Sequence, residues 1–278
     1  MAGQLILVGT PIGNLGDMSP RAIEAMETCD FIAAEDTRVT MKLLNHFGIK
    51  KPLVSYYEHN KRSSGEIITA RLMAGETCVL VTDAGMPAIS DPGEDIVNKC
   101  HELGIPVTCA PGPSAVVTAL AMSGMPSGRF SFEGFLSVNK KSRRDHLDEI
   151  KNEQRTMIFY EAPHKLPAML QDMYGALGNR RIAIVRELTK LHEEVIRTTL
   201  SEAAARYSAD GGETPRGEFV IIVEGAPKET AAEHYTPEQA AELAKSLMED
   251  GMSVSEAAKE AAKVTHLKKG DIYKLLVQ

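Results

Sequence analysis

Residues 78–93 of the chain read CVLVTDAGMPAISDPG, an apolar run that leads into a long loop rich in glycine and proline. The apolar run, residues 78–82, has the length and composition of a buried strand. The loop that follows, residues 82–93, holds two aspartates and more backbone specialisation than a simple connection requires. Because α/β proteins bind ligands at the carboxyl ends of their strands, this second loop is a candidate binding site.

Outward from this stretch, short apolar runs alternate with amphipathic segments over residues 4–135. Ser19 and Pro20 mark a helix start, and Gly48, Gly75 and Gly104 stand where helices should end. Alternation of strand and helix predicts βαβ units and a mainly parallel sheet. The predicted strands are residues 5–8, 31–34, 53–57, 78–82, 107–110 and 130–132.

The second half of the chain has a different pattern. After a basic linker at residues 137–144 that runs into a helix, strands are predicted at 156–160, 182–187, 194–200 and 218–223, with helices near 163–177 and 202–207. Two consecutive strands suggest a hairpin, hence a mixed or antiparallel sheet. Helices at 237–248, 255–263 and 271–277 complete the chain. We therefore predict an α/β protein with two α/β domains, 1–136 and 137–228, and a helical C-terminal extension, 229–278.

Composition limits the functional classes. With 31 Lys and Arg against 38 Asp and Glu, the net charge is −7, which argues against a nonspecific nucleic-acid coat protein. No apolar run approaches the length of a membrane span and the start lacks a signal peptide, so we expect a cytoplasmic protein. The four cysteines form no CxxC pair and are expected to be reduced and in the core, and with no HExxH motif we expect no metal.

Two more loops follow predicted strands. The first, GTPIGNLGD at 9–17, has glycine spacing that fits neither dinucleotide-binding nor P-loop motifs. The third, APGPSAVV at 110–117, presents Ser114 at a helix start, where free amides can bind ligand oxygens. Plain structural roles remain open for each: a strand-to-helix turn, an Asx turn at Asp91 and an N-cap at Ser114.

Polar clusters also occur where strands end. They are AEDTR at 34–38, YYEHN at 56–60, YEAPHK at 160–165 and RELTK at 186–190. One such cluster could be a solvated ion-pair rim, but four together favour a cleft.

The motifs VGTPIGNLGD, AEDTR, VTDAGMPAISDPG, PGPSA, GFL, YEAPHK, RELTK and GEFVIIVEG, in this order, resemble the tetrapyrrole-methylase superfamily of S-adenosyl-L-methionine-dependent methyltransferases. They are most similar to the branch that methylates a cytidine ribose 2′-hydroxyl in 16S rRNA of the 30S subunit. The resemblance implies a donor site between two α/β domains and a homodimer. TPIGN stands where tetrapyrrole enzymes favour GAGPG, which favours the RNA branch over a porphyrin-like substrate.

The resemblance also implies which residues bind the donor. In the three loops these are Pro11, Asp83, Gly85, Met86, Pro87, Ile89, Ser114 and Ala115. From the second domain they are Phe159, Tyr160, Leu188, Glu218 and Phe219.

Deprotonation or polarisation of a ribose hydroxyl calls for a base or a cation. The candidates are Glu35, Asp36, Glu187 and Lys190, while Arg38 and Arg186 would hold phosphate or pair with these carboxylates. The alternative is one structural ion-pair network. Candidate RNA contacts are Lys140, Lys141, Arg143, Arg144, Lys263, Lys268, Lys269 and Lys274, although a solvated helix face would explain the tail lysines equally well.

Two other functions stay open on this evidence. One is a porphyrinoid methyltransferase, which would not need residues 229–278. The other is a catalytically silent RNA-binding or ribosome assembly factor, which would bind the 30S subunit without binding the donor.

Overall fold

The computed structural model describes residues 3–208, 212–227, 235–249, 251–265 and 267–277. The described residues up to Ala226 form one compact unit, and those from Pro227 onward form a second. The first unit contains two five-stranded sheets. The predicted α/β class is therefore confirmed.

The first sheet is parallel throughout, with strand order β3-β2-β4-β1-β5. Its strands are β1 Leu5–Val8, β2 Phe31–Ala34, β3 Leu53–Ser55, β4 Cys78–Val81 and β5 Val107–Ala110. The helices that follow them are α1 Pro20–Thr28, α2 Thr37–His46, α3 Lys61–Met73, α4 Gly93–Glu102 and α5 Ala115–Ser123. Every residue of β2 and β4 is buried, as expected for parallel strands covered on both faces. All five carboxyl ends therefore meet at one edge, where the three loops lie.

The second sheet is mixed, with strand order β6-β7-β10-β8-β9. Only β6 and β7 run parallel, and the other neighbours are antiparallel. The strands are β6 Phe130–Phe135, β7 Thr156–Glu161, β8 Arg181–Arg186, β9 Glu194–Thr199 and β10 Phe219–Val223, and the helices are α6 Lys140–Glu149, α7 Leu166–Leu177 and α8 Leu200–Arg206.

Helix α5 connects the two sheets of the first unit. Val116, Ala119 and Leu120 on α5 pack into one core cluster with Ile158 and Val185 of the second sheet. The other face of that sheet is covered by apolar side chains of α6, α7 and α8. The second sheet is thus held against the loops of the first by a helix that begins in the third loop.

Two expectations need correction. The strand predicted at 130–132 belongs to the second sheet, because Phe130–Phe135 pairs with β7. A division at residue 136 would therefore separate β6 from its own sheet. Cys29, Cys78 and Cys100 are buried, but Cys109 is exposed because β5 is an edge strand.

The second unit consists of α9 Pro237–Glu249, α10 Val254–Thr265 and α11 Lys269–Val277. Its core is made mainly of small side chains, with Ala244, Ala257, Ala261 and Ile272 fully buried. At the start of α10, Ser253 and Glu256 form reciprocal capping hydrogen bonds. In the part of the chain that is described, no helix has both the length and the apolar character to cross a membrane.

Candidate functional site

A cavity of about 520 Å³ lies in the first unit, where the carboxyl end of β4 faces the ends of β7, β8 and β10. Its volume falls within the range typical of small-molecule sites. The lining residues are Ile12, Glu35, Thr82, Asp83, Ala84, Ile89, Ser90, Asp91, Ala115, Phe135, Tyr160, Glu161, Ala162, Pro163, Val185, Leu188, Glu218, Phe219 and Val220.

The lining is negatively charged. Among the residues that the structure describes, it contains the carboxyl groups of Glu35, Asp83, Asp91, Glu161 and Glu218 and no lysine, arginine or histidine. Such a lining favours a ligand with positive charge and hydroxyl donors, and it disfavours a phosphate.

The second loop displays an apolar side chain in an unusual way. Ala88 and Ser90 have φ values of 67° and 63°, and Ile89 between them lines the cavity. Asp91 holds this shape, because its carboxylate accepts hydrogen bonds from the amides of Ala88, Ile89 and Gly93. Burial raises the pKa of Asp91. Asp91 therefore has the structural role of an Asx-type turn, in which its carboxylate binds nearby backbone amides.

The RELTK segment has the same arrangement. Glu187 and Thr189 have φ values of 52° and 66°, and Leu188 between them lines the cavity. Strained backbone of this kind costs about 1–3 kcal/mol per residue and clusters at ligand sites. Both sides of the cavity therefore use strained backbone to present one apolar residue.

The three loops touch each other through their backbones. Thr10 and Gly85 exchange two amide hydrogen bonds of 2.9 and 3.1 Å. A Cβ placed on Gly9 would lie 2.7 Å from both Gly112 Cα and Met86 Sδ, so only glycine fits there. Pro11, Gly85, Met86, Pro87 and Ser114 consequently belong to the loops that shape the cavity, although they are not among its lining residues.

Acidic residues that directly follow β2 and β4 form one hydrogen-bonded group. Thr82 donates its hydroxyl to Glu35 at 2.6 Å, and the Asp36 amide donates to Asp83 at 3.1 Å. Burial, together with the charges of Glu35 and Asp36, raises the pKa of Asp83. Asp36 forms a bidentate pair with Arg38, which lowers the pKa of Asp36 to about 2.

Lys190 holds a second acidic group together. Its ammonium donates to Glu187 and to Glu218, each at 2.9 Å. The hydrogen bond from Lys190 lowers the pKa of Glu187. Burial acts to lower the pKa of Lys190, but the hydrogen bonds to Glu218 and Glu187 outweigh it and raise that pKa.

The structure brings many of the residues predicted for donor binding and catalysis to the cavity. Those that line it are Glu35, Asp83, Ile89, Ala115, Tyr160, Leu188, Glu218 and Phe219. Phe159 does not, since its side chain is fully buried in the core between the second sheet and its helices. Because side chains alternate along a strand, Tyr160 faces the cavity and Phe159 cannot.

The basic candidates lie in different surroundings. Arg143 is largely buried and binds Asp172 at 2.7 Å as well as the carbonyl oxygen of Ser137, so its guanidinium is already occupied. Arg186 is half-buried and pairs with Glu194 at 3.2 Å. The exposed candidates in the first unit are Arg38, Lys140, Lys141 and Arg144, and those in the second are Lys263, Lys268, Lys269 and Lys274.

Sequence reasoning missed several lining residues. Ile12, Ala84 and Ser90 lie within the loops already identified, and Ala162 and Pro163 within YEAPHK. Phe135 belongs to the GFL motif, to which the sequence assigned no role. In the described ranges, no three His, Cys, Asp or Glu side chains are grouped as metal ligands would be.

Comparison with known families gives two matches. Residues 4–204 match the family described as Tetrapyrrole (Corrin/Porphyrin) Methylases, and residues 236–278 match the family described as RsmI C-terminal HTH domain.

Curated relatives match over nearly the whole chain. Ribosomal RNA small subunit methyltransferase I of Halalkalibacterium halodurans is 48% identical over 281 residues, covering 99% of this chain and 95% of its own. The protein of the same name from Synechocystis is 44% identical over 277 residues, covering 99% of this chain and 98% of its own.

Among solved structures, uroporphyrin-III C-methyl transferase from Thermus thermophilus complexed with S-adenyl homocysteine superposes with a TM-score of 0.54. The sequences are 18% identical, and the match covers 79% of this chain and 97% of the other. This likeness establishes a common fold.

Proposed function

The chain belongs to the tetrapyrrole methylase family, in the branch of the ribosomal RNA small subunit methyltransferases I, and from this premise we propose that it methylates 16S rRNA in the 30S subunit. Membership makes it a methyltransferase whose methyl donor is S-adenosyl-L-methionine. The finer parts of the proposal are the target atom, a cytidine ribose 2′-hydroxyl, and a homodimer acting in the cytoplasm. The resemblance of the motifs to the RNA branch supports these parts.

The observation that carries the proposal is the negatively charged cavity. The donor, when bound, supplies a methyl group on a positively charged sulfur and also carries an ammonium and two ribose hydroxyls. Asp83 and Glu218 offer acceptors for these donors, and no cation among the described residues lines the cavity to repel them. The residues present therefore fit this cofactor.

Apolar contacts complete the fit. Ile89, from the second loop, and Leu188, from the RELTK segment, line the cavity on strained backbone, and Tyr160 and Ala115 also line it. These side chains exclude water and hold a flat or aliphatic part of the ligand. Methyl transfer is an in-line displacement, so fixed positions of the two reactants are the main contribution of the protein.

The surroundings of the four catalytic candidates favour different roles. Asp36 and Glu187 have lowered pKa values because Arg38 and Lys190 stabilise their charged forms, so both are poor proton acceptors. Lys190 has a raised pKa and is protonated at neutral pH, so it orients Glu218 rather than accepting a proton. Glu35 is the candidate that lines the cavity. We therefore propose that its carboxylate is the general base that accepts the proton of the ribose hydroxyl.

The proposal is tested by incubating the protein with labelled S-adenosyl-L-methionine and 30S subunits from cells that lack the modification. Label should enter RNA, and Glu35→Gln should lower kcat by about 100-fold or more, as loss of general-base catalysis does. Glu27→Gln, an exposed glutamate of α1, is the matched control and should keep full activity. Label in a porphyrinoid but not in RNA would contradict the proposed substrate.

A further inference from the structure

The GFL motif, Gly134 to Leu136, lies at a β-bulge in the edge strand β6. Phe132 pairs with Ile158 and Gly134 pairs with Phe159, so Glu133 is an extra residue in the register. Gly134 has a φ of 65°, which favours glycine. Bulges of this kind occur at sheet edges next to active sites, where they redirect a side chain.

The side chain that this bulge redirects is Phe135. In a regular strand, Phe132 and Phe135 would lie on opposite faces of the sheet, because they are three residues apart. With the bulge, both contact the same ring: the Tyr160 centroid lies 5.0 Å from that of Phe132 and 5.4 Å from that of Phe135. Phe135 is thereby moved to the cavity face, where its ring packs against that of Tyr160, which in turn packs against Phe132.

Neighbouring contacts fix this position. A hydrogen bond of 3.1 Å joins Glu133 Oε2 to His146 Nε2 on α6, and Leu136 is buried in the core of the second sheet. A Cβ placed on Gly134 would lie 3.6 Å from Ser90 Oγ, so the bulge lies directly beside the second loop. Phe135 nevertheless remains 56% exposed, and Ile89 in that loop is 51% exposed. Two large apolar side chains thus line the charged cavity while remaining accessible to solvent.

Two basic residues closely follow Phe135 in the chain. Lys140 and Lys141 begin α6 five and six residues after Phe135, and both are exposed. Among the described residues, neither lysine is in an ion pair. Single-stranded RNA is bound in this way, with bases stacked on aromatic side chains and phosphates held by nearby cations.

We propose that Phe135 is the stacking platform for the base of the RNA nucleotide that is methylated. This inference rests on the proposed function and adds the residue that receives the flipped nucleotide. To bring its ribose 2′-hydroxyl to the donor, the nucleotide must leave its neighbours, and an aromatic face beside the pocket replaces the stacking that its base loses. The adenine of the donor has the same flat chemistry, but a small ligand is largely enclosed when bound. Phe135 lies at the exposed rim, which RNA must approach from solvent.

The test measures both substrates for Phe135→Ala. Loss of stacking should lower kcat/KM for undermethylated 30S subunits by about 5- to 150-fold. The Kd for S-adenosyl-L-methionine, measured by calorimetry, should stay within about twofold, and Phe135→Tyr should retain activity because its ring still stacks. Phe130→Ala removes another exposed ring from the same strand, outside the cavity, and should behave as wild type.

Three outcomes would overturn the inference. They are an unchanged kcat/KM in Phe135→Ala, full activity in Phe135→Leu, which keeps apolar area without a ring, and a donor Kd that weakens as much as kcat/KM falls. The last result would assign the ring to the adenine of the donor. Failure of the wild-type protein to label 30S RNA would instead refute the proposed function, so the two failures are distinguishable.

Discussion

A substitution of Asp83 tests most directly whether the carboxylates that line the cavity bind the methyl donor. Its carboxylate accepts the Asp36 amide and faces the cavity, where we assign to it a hydrogen bond with a hydroxyl or ammonium of the donor. Hydrogen bonds to charged groups contribute about 1.5–3 kcal/mol, so Asp83→Ala should weaken donor binding by about 10- to 150-fold. Calorimetry measures the Kd, and Asp148→Ala on the exposed face of α6 is the control. An unchanged Kd would refute the assigned role.

The raised pKa of Asp83 also predicts an effect on stability. A carboxyl group whose pKa is higher in the folded than in the unfolded state destabilises the fold when it ionises, and this penalty is present at pH 7 and disappears as pH falls below the unfolded pKa of about 4. Asp83→Asn removes the charge and can still accept the Asp36 amide. We therefore expect a small increase in the free energy of unfolding at pH 7 and none near pH 3.5, measured by urea denaturation. A loss of stability at pH 7 would contradict this.

At the scale of residues, the sequence predicts which positions lie near the site. It does not predict in which direction each side chain points. Glu35 and Asp83 could be predicted because they follow apolar strands whose carboxyl ends share one edge. Phe159 and Tyr160 are adjacent aromatic residues in β7. Which of them faces the cavity depends on how β7 pairs with the neighbouring strands. Ionisation states depend on partners brought from other elements, as with Lys190 and Glu218, and the sequence does not contain those distances.

At the scale of elements, α6 separates structural from surface basic residues. Arg143 pairs with Asp172 of α7, and their side chains are only 12% and 13% exposed. Without Arg143, the buried Asp172 carboxylate keeps only the longer 3.7 Å contact to the exposed Arg144, so Arg143→Met should lower the free energy of unfolding by about 3 kcal/mol. Arg144→Met, whose side chain is 60% exposed, should change it by less than about 1 kcal/mol.

Chemical denaturation of both variants measures this difference. Equal effects of the two substitutions would contradict the structural role of Arg143. Lys140→Ala combined with Lys141→Ala provides the complementary control, because these exposed lysines should affect RNA affinity without affecting stability.

The sequence predicts helices and strands well where an apolar pattern is bounded by clear turn residues, and less well at β6. The strands of the first sheet are short apolar runs between glycine-rich turns, so their positions follow from local pattern. The sheet to which β6 belongs depends on its pairing with Thr156–Glu161, a contact that local pattern does not encode. The bulge at Glu133 has the same origin, which explains why the GFL motif received no role from sequence alone.

At the scale of the whole molecule, the three helices from α9 to α11 form a compact unit of their own. Lys268, Lys269 and Lys274 on this unit are exposed. A chain ending at Ala226 should therefore keep its donor Kd, bind 30S subunits more weakly, and show a slope of log affinity against log salt that is smaller by about 2. Filter binding at several salt concentrations measures the slope. Normal methylation of 30S subunits by the shortened chain would contradict a role of these helices in RNA binding.

The net charge of the chain does not reveal how acidic and basic side chains are distributed over its surface. The value of −7 includes a carboxylate-lined cavity that suits a cationic donor, whereas exposed lysines are found at the start of α6 and on α10 and α11. The total therefore limits nonspecific RNA binding but does not describe the surface that a structured RNA would meet.

The most direct test of the account is nucleoside analysis of 16S rRNA after reaction of undermethylated 30S subunits with methyl-labelled donor. The proposed function predicts that the label is recovered in 2′-O-methylcytidine and that Glu35→Gln slows its incorporation by about 100-fold or more. Recovery of the label in a base-methylated nucleoside, or no label in RNA with an active control enzyme present, would contradict it.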